Sequence, residues 1–174
     1  MAKFVHVLLK VQEALGVVLF IGLTAVVTLQ IVSRFVFHSP YIWSEEVARF
    51  LFFWVALTGA SISVRLRRHF VIDVIQMAAV GGSARMARLQ TWLRLFGDVA
   101  ILGFSILLLV LGWEYTGLGT FRVGTNSEIN MSLVYAAIPF AAGTMVTYSV
   151  ANIIETLKDL RSDGHVDHPK EGST

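Results

Sequence analysis

Few residues in this chain are of a type that does chemistry, and most of those sit close together. Ser44-Glu45-Glu46 is followed by Arg49, which puts two carboxylates within a turn of a guanidinium. His69 and Asp73 are spaced i,i+4. Paired carboxylates can pass a proton, and a histidine one turn from an aspartate can supply two ligands of a metal site. Neither set is complete. His69 and Asp73 have no third ligand nearby, so a histidine hydrogen-bonded to a carboxylate is the reading there. Cysteine is absent, which removes thiolate catalysis, disulfides and cysteine-ligated metal. His6, His38, His165 and His168 lie outside every apolar run, which argues against a haem-binding anchor. With no nucleophile–base pair in sight, the residues predict neither an enzyme nor a cofactor.

The elements that must position these residues are long and apolar. Of 174 residues, 55% are apolar and 15% charged, against about 25% charged in soluble domains. Residues 14–33 hold no charge over 20 positions, 50–64 and 99–113 none over 15 each, and 129–154 none over 26. About 20 helical residues cross the roughly 30 Å hydrocarbon layer. The pattern predicts an all-α integral membrane protein with four transmembrane helices, near 11–37, 44–64, 96–115 and 131–154. It excludes a soluble enzyme, a nucleic-acid partner and a disulfide scaffold. Residues 1–160 read as one membrane domain and 161–174 as a flexible cytoplasmic tail. The first run is too long for a signal peptide and reads as a retained span.

Between spans two and three, Phe70, Val71, Val74, Ile75 and Ala78 recur at helical spacing. After Gly81-Gly82-Ser83, Met86, Leu89, Leu93 and Phe96 make a second stripe against Arg85, Arg88 and Arg94. These predict amphipathic interfacial helices over about 70–94, the second running straight into span three. Eleven of the 14 Lys and Arg residues fall at the N-terminus, in this connection and in the tail, while Arg34, Arg49 and Arg122 fall on the other side. Such a bias places both termini in the cytoplasm. Tyr41, Trp43, Trp113 and Tyr115 then form an outer aromatic belt, with Trp92 and Tyr148 towards the inner one.

No charge stands mid-span. The middle offers Thr24, Thr28 and Gln30, then Thr58 and Ser61, then Ser105 and Thr144. A carrier of charged solutes normally needs a charge, a broken helix or dense polar coordination there. Ser44-Glu45-Glu46 admits two readings. In one, Ser44 caps span two, the carboxylates complement its dipole and Glu45 pairs with Arg49. In the other, they anchor another chain, or Arg34 across the loop. Ala56 with Ala60, Gly59 with Ser63, and Ala137 with Ala141 fall at helix-packing spacing, whether within the chain or against a partner. Pro139 is expected to loosen or kink span four.

The ordered set Arg34 … Trp43-Ser44-Glu45-Glu46-Val47-Ala48-Arg49 … Trp54 … Gly59-Ala60 … Arg65 … His69-Phe70-Val71-Ile72-Asp73, with Tyr135-Ala136-Ala137-Ile138-Pro139 in span four, resembles the DctQ-like small membrane subunit of tripartite ATP-independent periplasmic (TRAP) transporters. The resemblance covers roughly 34–147. It implies a multi-pass subunit of the bacterial inner membrane with no reaction of its own. Its partners would be a large membrane subunit carrying the substrate and sodium sites, a periplasmic substrate-binding protein, and phospholipids. The cargo would be an organic acid such as sialic acid or a C4-dicarboxylate. On this reading Arg34, Trp43, Glu45, Glu46, Arg49, Ala56, Gly59, Ala60 and Ser63 are candidates for the partner interface. Arg65, Arg67, Arg68, His69 and Asp73 would line the inner membrane interface, and Arg122 and Glu128 would be open to the periplasmic partner. A free-standing homo-oligomeric carrier and a membrane anchor for a redox enzyme are the competing readings.

Overall fold

Each uncharged run folds as helix, because backbone in hydrocarbon must satisfy its own hydrogen bonds. The computed structural model describes residues 2–39, 41–66 and 84–163, and the side chains of 3–39, 41–66 and 92–158. Its helices are α1 (Ala2–Phe35), α2 (Ile42–Arg65), α3 (Ala84–Gly119), α4 (Met131–Tyr135) and α5 (Ala137–Asp163). Four stretches are long and apolar enough to span a membrane: Lys3–Phe35, Ile42–Arg65, Trp92–Gly119 and Met131–Lys158. The described residues form no strand beyond a single bridge between Val123 and Asn130. The chain is thus an all-α, four-span membrane protein.

Several boundaries differ from the sequence reading, each for a physical reason. α1 begins at Ala2 rather than near 11. Lys3, His6 and Lys10 lie on its exposed side, while Val5, Leu8, Leu9 and Gln12 form an inward stripe that continues the helix. Ser44 does not cap α2. The helix starts at Ile42 with Tyr41 as N-cap, and Ser44 Oγ donates back to the Tyr41 carbonyl at 2.6 Å. The second stripe does run into span three, since α3 is one unbroken helix of 36 residues from Ala84. The first stripe, Phe70 to Ala78, lies outside the described residues. The fourth span is interrupted at Ala136, between α4 and α5. Pro139 cannot donate to the Tyr135 carbonyl four residues back, so the helix ends there and restarts with proline inside its first turn. α5 extends to Asp163, so the first three residues assigned to the tail are helical.

The long helices follow one another in space as α1, α2, α5, α3, each packed mainly on the next. Among the described residues α1 and α3 share no substantial contact. This is a row rather than a closed four-helix bundle. Val5, Val64, Met145, Tyr148 and Ala151 form a small core, joined by Leu8, Leu9 and Ile101. That core lies at the end bearing the start of α1 and the finish of α2 and α5, here called the terminal end. The opposite end carries residues 36–39, 41 and 120–130 and is called the loop end. The α3–α5 seam depends on small residues: Ala137 and Ala141 are buried, and a Cβ on Gly112 would fall 2.7 Å from Ile138 Cγ2. Large apolar side chains such as Phe20, Phe52, Phe104 and Trp113 point outward instead. Such a surface is stable only in lipid or against another apolar chain.

Candidate functional site

At the loop end the two adjacent carboxylates part ways. Glu45 points outward and pairs with Arg49 at 3.1 Å, both side chains being about 70% exposed. An exposed i,i+4 pair of this kind contributes only ~0.3–0.5 kcal/mol. Glu46 is one residue on, about 100° round the helix, and only 9% exposed. Its Oε1 accepts the Thr125 amide at 3.0 Å, and its Oε2 accepts those of Asn126 at 2.9 Å and Ser127 at 2.8 Å. Three successive amides converging on one carboxylate form an anion-binding concavity filled from within the chain. Gly124 makes the approach possible, because a Cβ there would sit 2.8 Å from Glu46 Oε1.

The loop so held is a short hairpin. Gly124 N–H donates to the Ile129 carbonyl at 2.8 Å, and Met131 N–H to that of Arg122 at 2.9 Å. Asn130 caps α4, its Oδ1 accepting the Ser132 amide at 2.9 Å. Glu128 adopts a φ of 55°, a left-handed conformation that costs a non-glycine residue. Arg122 and Glu128 are exposed on this hairpin, as is Phe121, which precedes Arg122.

The α2 face that carries Glu45 and Arg49 continues through Phe52, Ala56, Gly59 and Ala60, all exposed, to half-buried Ser63. A Cβ built on Gly59 meets nothing within 4 Å. Packing among the described residues therefore accounts for the small residues of α5 and not for those of α2. Arg34 is exposed, its guanidinium 5.9 Å from the centre of the Phe35 ring, and it makes no ion pair among the described residues. Trp43 is exposed and tilts against Tyr41 with ring centres 6.2 Å apart. Arg67, Arg68, His69 and Asp73 lie outside the described residues.

The terminal end holds polar groups that sequence reasoning passed over. Gln12 is 1% exposed. Its amide nitrogen donates to Ser61 Oγ and, at 3.1 Å, to Thr144 Oγ1, while Tyr148 Oη donates to its carbonyl at 2.6 Å. Ser61 and Thr144 in turn donate to the Thr58 and Ala141 carbonyls at 2.8 Å. One amide thus ties α1, α2 and α5. Nearby, Arg65 grips Glu155 through both guanidinium nitrogens, at 2.9 and 3.0 Å, and reaches Asn152 Oδ1 at 2.6 Å. Asn152 Nδ2 donates to the Val64 carbonyl at 3.0 Å, closing the α2–α5 seam. The signal for Gln12 was its seven-residue spacing from Val5 on the inward stripe. Its place beside Glu13, just ahead of the uncharged run, hid it.

What this arrangement can do chemically is limited. The Gln12 cluster is uncharged, and its donors and acceptors are spent on one another. An apolar cleft of about 360 Å³ between α1, α2 and α4 is walled by Leu15, Leu19, Val47, Leu51, Ile129 and Leu133. The indole nitrogen of Trp54, also in that wall, already donates to the Leu133 carbonyl at 3.2 Å. No charged side chain lines the cleft. Neither place can take the water from a passing anion or sodium ion and replace it.

Residues 23–159 match the family model described as tripartite ATP-independent periplasmic transporters, DctQ component. The chain belongs to this family. The DctQ-family assignment agrees with named relatives. The sialic acid TRAP transporter small permease protein SiaQ of Vibrio cholerae is 28% identical over 149 residues, covering 86% of this chain and 83% of SiaQ. The C4-dicarboxylate TRAP transporter small permease protein DctQ of the same organism is 32% identical over 107 residues, 61% of this chain and 43% of that one. The sialic acid TRAP transporter permease protein SiaT of Haemophilus influenzae is 31% identical over 137 residues. Those residues are 79% of this chain but only 21% of SiaT, so this chain spans about a fifth of that relative's length. A DctQ-family chain is a small permease component, which is the scale of the four spans described here.

Proposed function

We propose that this chain is the non-catalytic small subunit of a TRAP-type secondary transporter, a fixed scaffold against which a large multi-span subunit works. The large subunit would carry the solute and sodium sites. The cargo would be an organic acid of the sialic acid or C4-dicarboxylate kind, delivered by a soluble periplasmic binding protein. One observation carries the reading: the Gln12 cluster is uncharged and spends its donors and acceptors within itself, whereas the α2 face through Ala56, Gly59 and Ala60 has no partner among the described residues. A row of helices offers such a face; a closed bundle would bury it. Glu45 and Arg49 would mark the loop end of that contact. Phospholipids would cover the remaining apolar sides.

In this proposal the terminal end faces the cytoplasm of a bacterial inner membrane and the loop end the periplasm, as the Lys and Arg bias requires. A reporter active only outside the cytoplasm is expected to work when fused after His38 or Thr120 and to fail after Gly82. Activity at Gly82 would invert the orientation.

The contact itself has a sharper test. Gly59→Leu adds a side chain where no described residue stands within 4 Å of the Cβ, and it gains about 1 kcal/mol of helix propensity. The isolated subunit should therefore stay as stable as before, while co-purification with the large subunit falls at least about tenfold. Undiminished assembly would remove the α2 face from the interface. The competing carrier and redox-anchor readings would gain from solute uptake by the chain alone or from a haem absorption band.

A further inference from the structure

We propose that Glu46 is a positioning residue. By holding the backbone of 124–127, it presents Phe121, Arg122 and Glu128 as a preformed docking ridge for a soluble protein. The inference rests on the transporter reading above, in which a binding protein meets the loop end, and it gives that encounter a surface and a device.

Glu46 sits on α2, while the ridge belongs to the connection between α3 and α4, so the carboxylate joins elements some 80 residues apart in sequence. Its three acceptor contacts fix the hairpin one residue from Val123. The Val123–Asn130 bridge and the Arg122–Met131 backbone bond carry that order to the ridge. Phe121 is 91% exposed, more than any other large apolar side chain described. Burying such a ring in a partner returns about 1.5–3 kcal/mol. An exposed aromatic beside an arginine is the composition of interface hot spots. A lipid surface fits less well, because anionic headgroups favour cations alone and here Glu128 offsets Arg122. The partner that suits the ridge is a folded protein with an apolar recess flanked by charges of both signs. Rigidity matters because a loop already ordered pays little entropy on docking.

The test uses the assembled transporter in proteoliposomes, with the soluble binding protein added at increasing concentration. Glu46→Gln should raise the half-saturating concentration of binding protein about tenfold, with maximal uptake and subunit co-purification unchanged. Hydrogen exchange at the Thr125–Ser127 amides should quicken by a similar factor. Phe121→Ser should raise the half-saturating concentration alike and leave that exchange as it was. It alters only an exposed side chain, so it holds the idea to account even if Glu46→Gln misfolds. A loss of subunit yield or maximal rate in Glu46→Gln, at unchanged half-saturation, would overturn the proposal in favour of a subunit-contact role. Phe121→Ser without effect would overturn it too, as would a wild-type half-saturation set by anionic lipid content alone. No uptake with the wild-type chain would sink the transporter reading and this inference with it. A silent Glu46→Gln beside an active wild type would sink the inference alone.

Discussion

Replacing Gly112 by valine is expected to separate α3 from α5 and to lower the stability of the chain. A Cβ at this position falls 2.7 Å from Ile138 Cγ2 and 3.1 Å from both Ile138 Cβ and Pro139 Cδ. Neither neighbour can swing aside. Isoleucine is branched at Cβ and stiff at χ1, and the proline ring is locked to its backbone. Overpacking of this kind costs roughly 1–3 kcal/mol, and valine adds two methyl groups beyond the clashing atom. Thermal unfolding in detergent should shift down by about 5–10 °C. Gly103→Ala and Gly117→Ala supply the control, since a Cβ at either meets nothing within 4 Å. Both should leave the midpoint unchanged or raise it slightly, as helix propensity favours alanine. Equal losses at all three glycines would mean that the α3–α5 seam is not the tight contact described.

The second large effect is expected at Gln12. Leucine nearly matches its volume but removes one acceptor and two donated hydrogen bonds at a site shared by three helices. Ser61 and Thr144 keep their backbone acceptors, so they lose little. Tyr148 keeps none among the described residues, and its hydroxyl would be stranded in an apolar site. Interhelical hydrogen bonds in membranes average about 0.6 kcal/mol, and stranding a buried hydroxyl costs about 1–3 kcal/mol. Gln12→Leu should therefore destabilise by about 3 kcal/mol. Adding Tyr148→Phe should recover part of that loss, because the stranded group then disappears. A double-mutant cycle in a mild denaturant reads the coupling. Strictly additive losses would show that the amide and the phenol do not act as a unit.

The spans themselves were legible because uncharged runs of 15 to 26 residues have one solution in a bilayer. Pro139 was legible too, since its missing donor acts wherever the helix goes. What was hidden depends on residues distant in sequence. Glu45 and Glu46 read as one motif, and only the hairpin near Gly124 turns one inward while the other stays outside. The row α1, α2, α5, α3 was hidden because lipid and protein partners favour the same side chains, so polarity cannot tell a covered face from a bare one. The start of α1 was missed for a similar reason: Lys3, His6 and Lys10 interrupt the apolar run, although all three occupy the outward side of a continuing helix. For Gln12, an amide beside Glu13 looks like a span boundary until its partners on α2 and α5 are seen.

Uptake into sodium-loaded or sodium-free proteoliposomes, with this chain alone, the large subunit alone or the two together, weighs the scaffold most directly. With the binding protein and an organic acid supplied, the pair should accumulate solute down an inward sodium gradient, and this chain alone should accumulate none. Accumulation by this chain alone would mean that its four helices hold a solute site of their own, against every polar contact described within them.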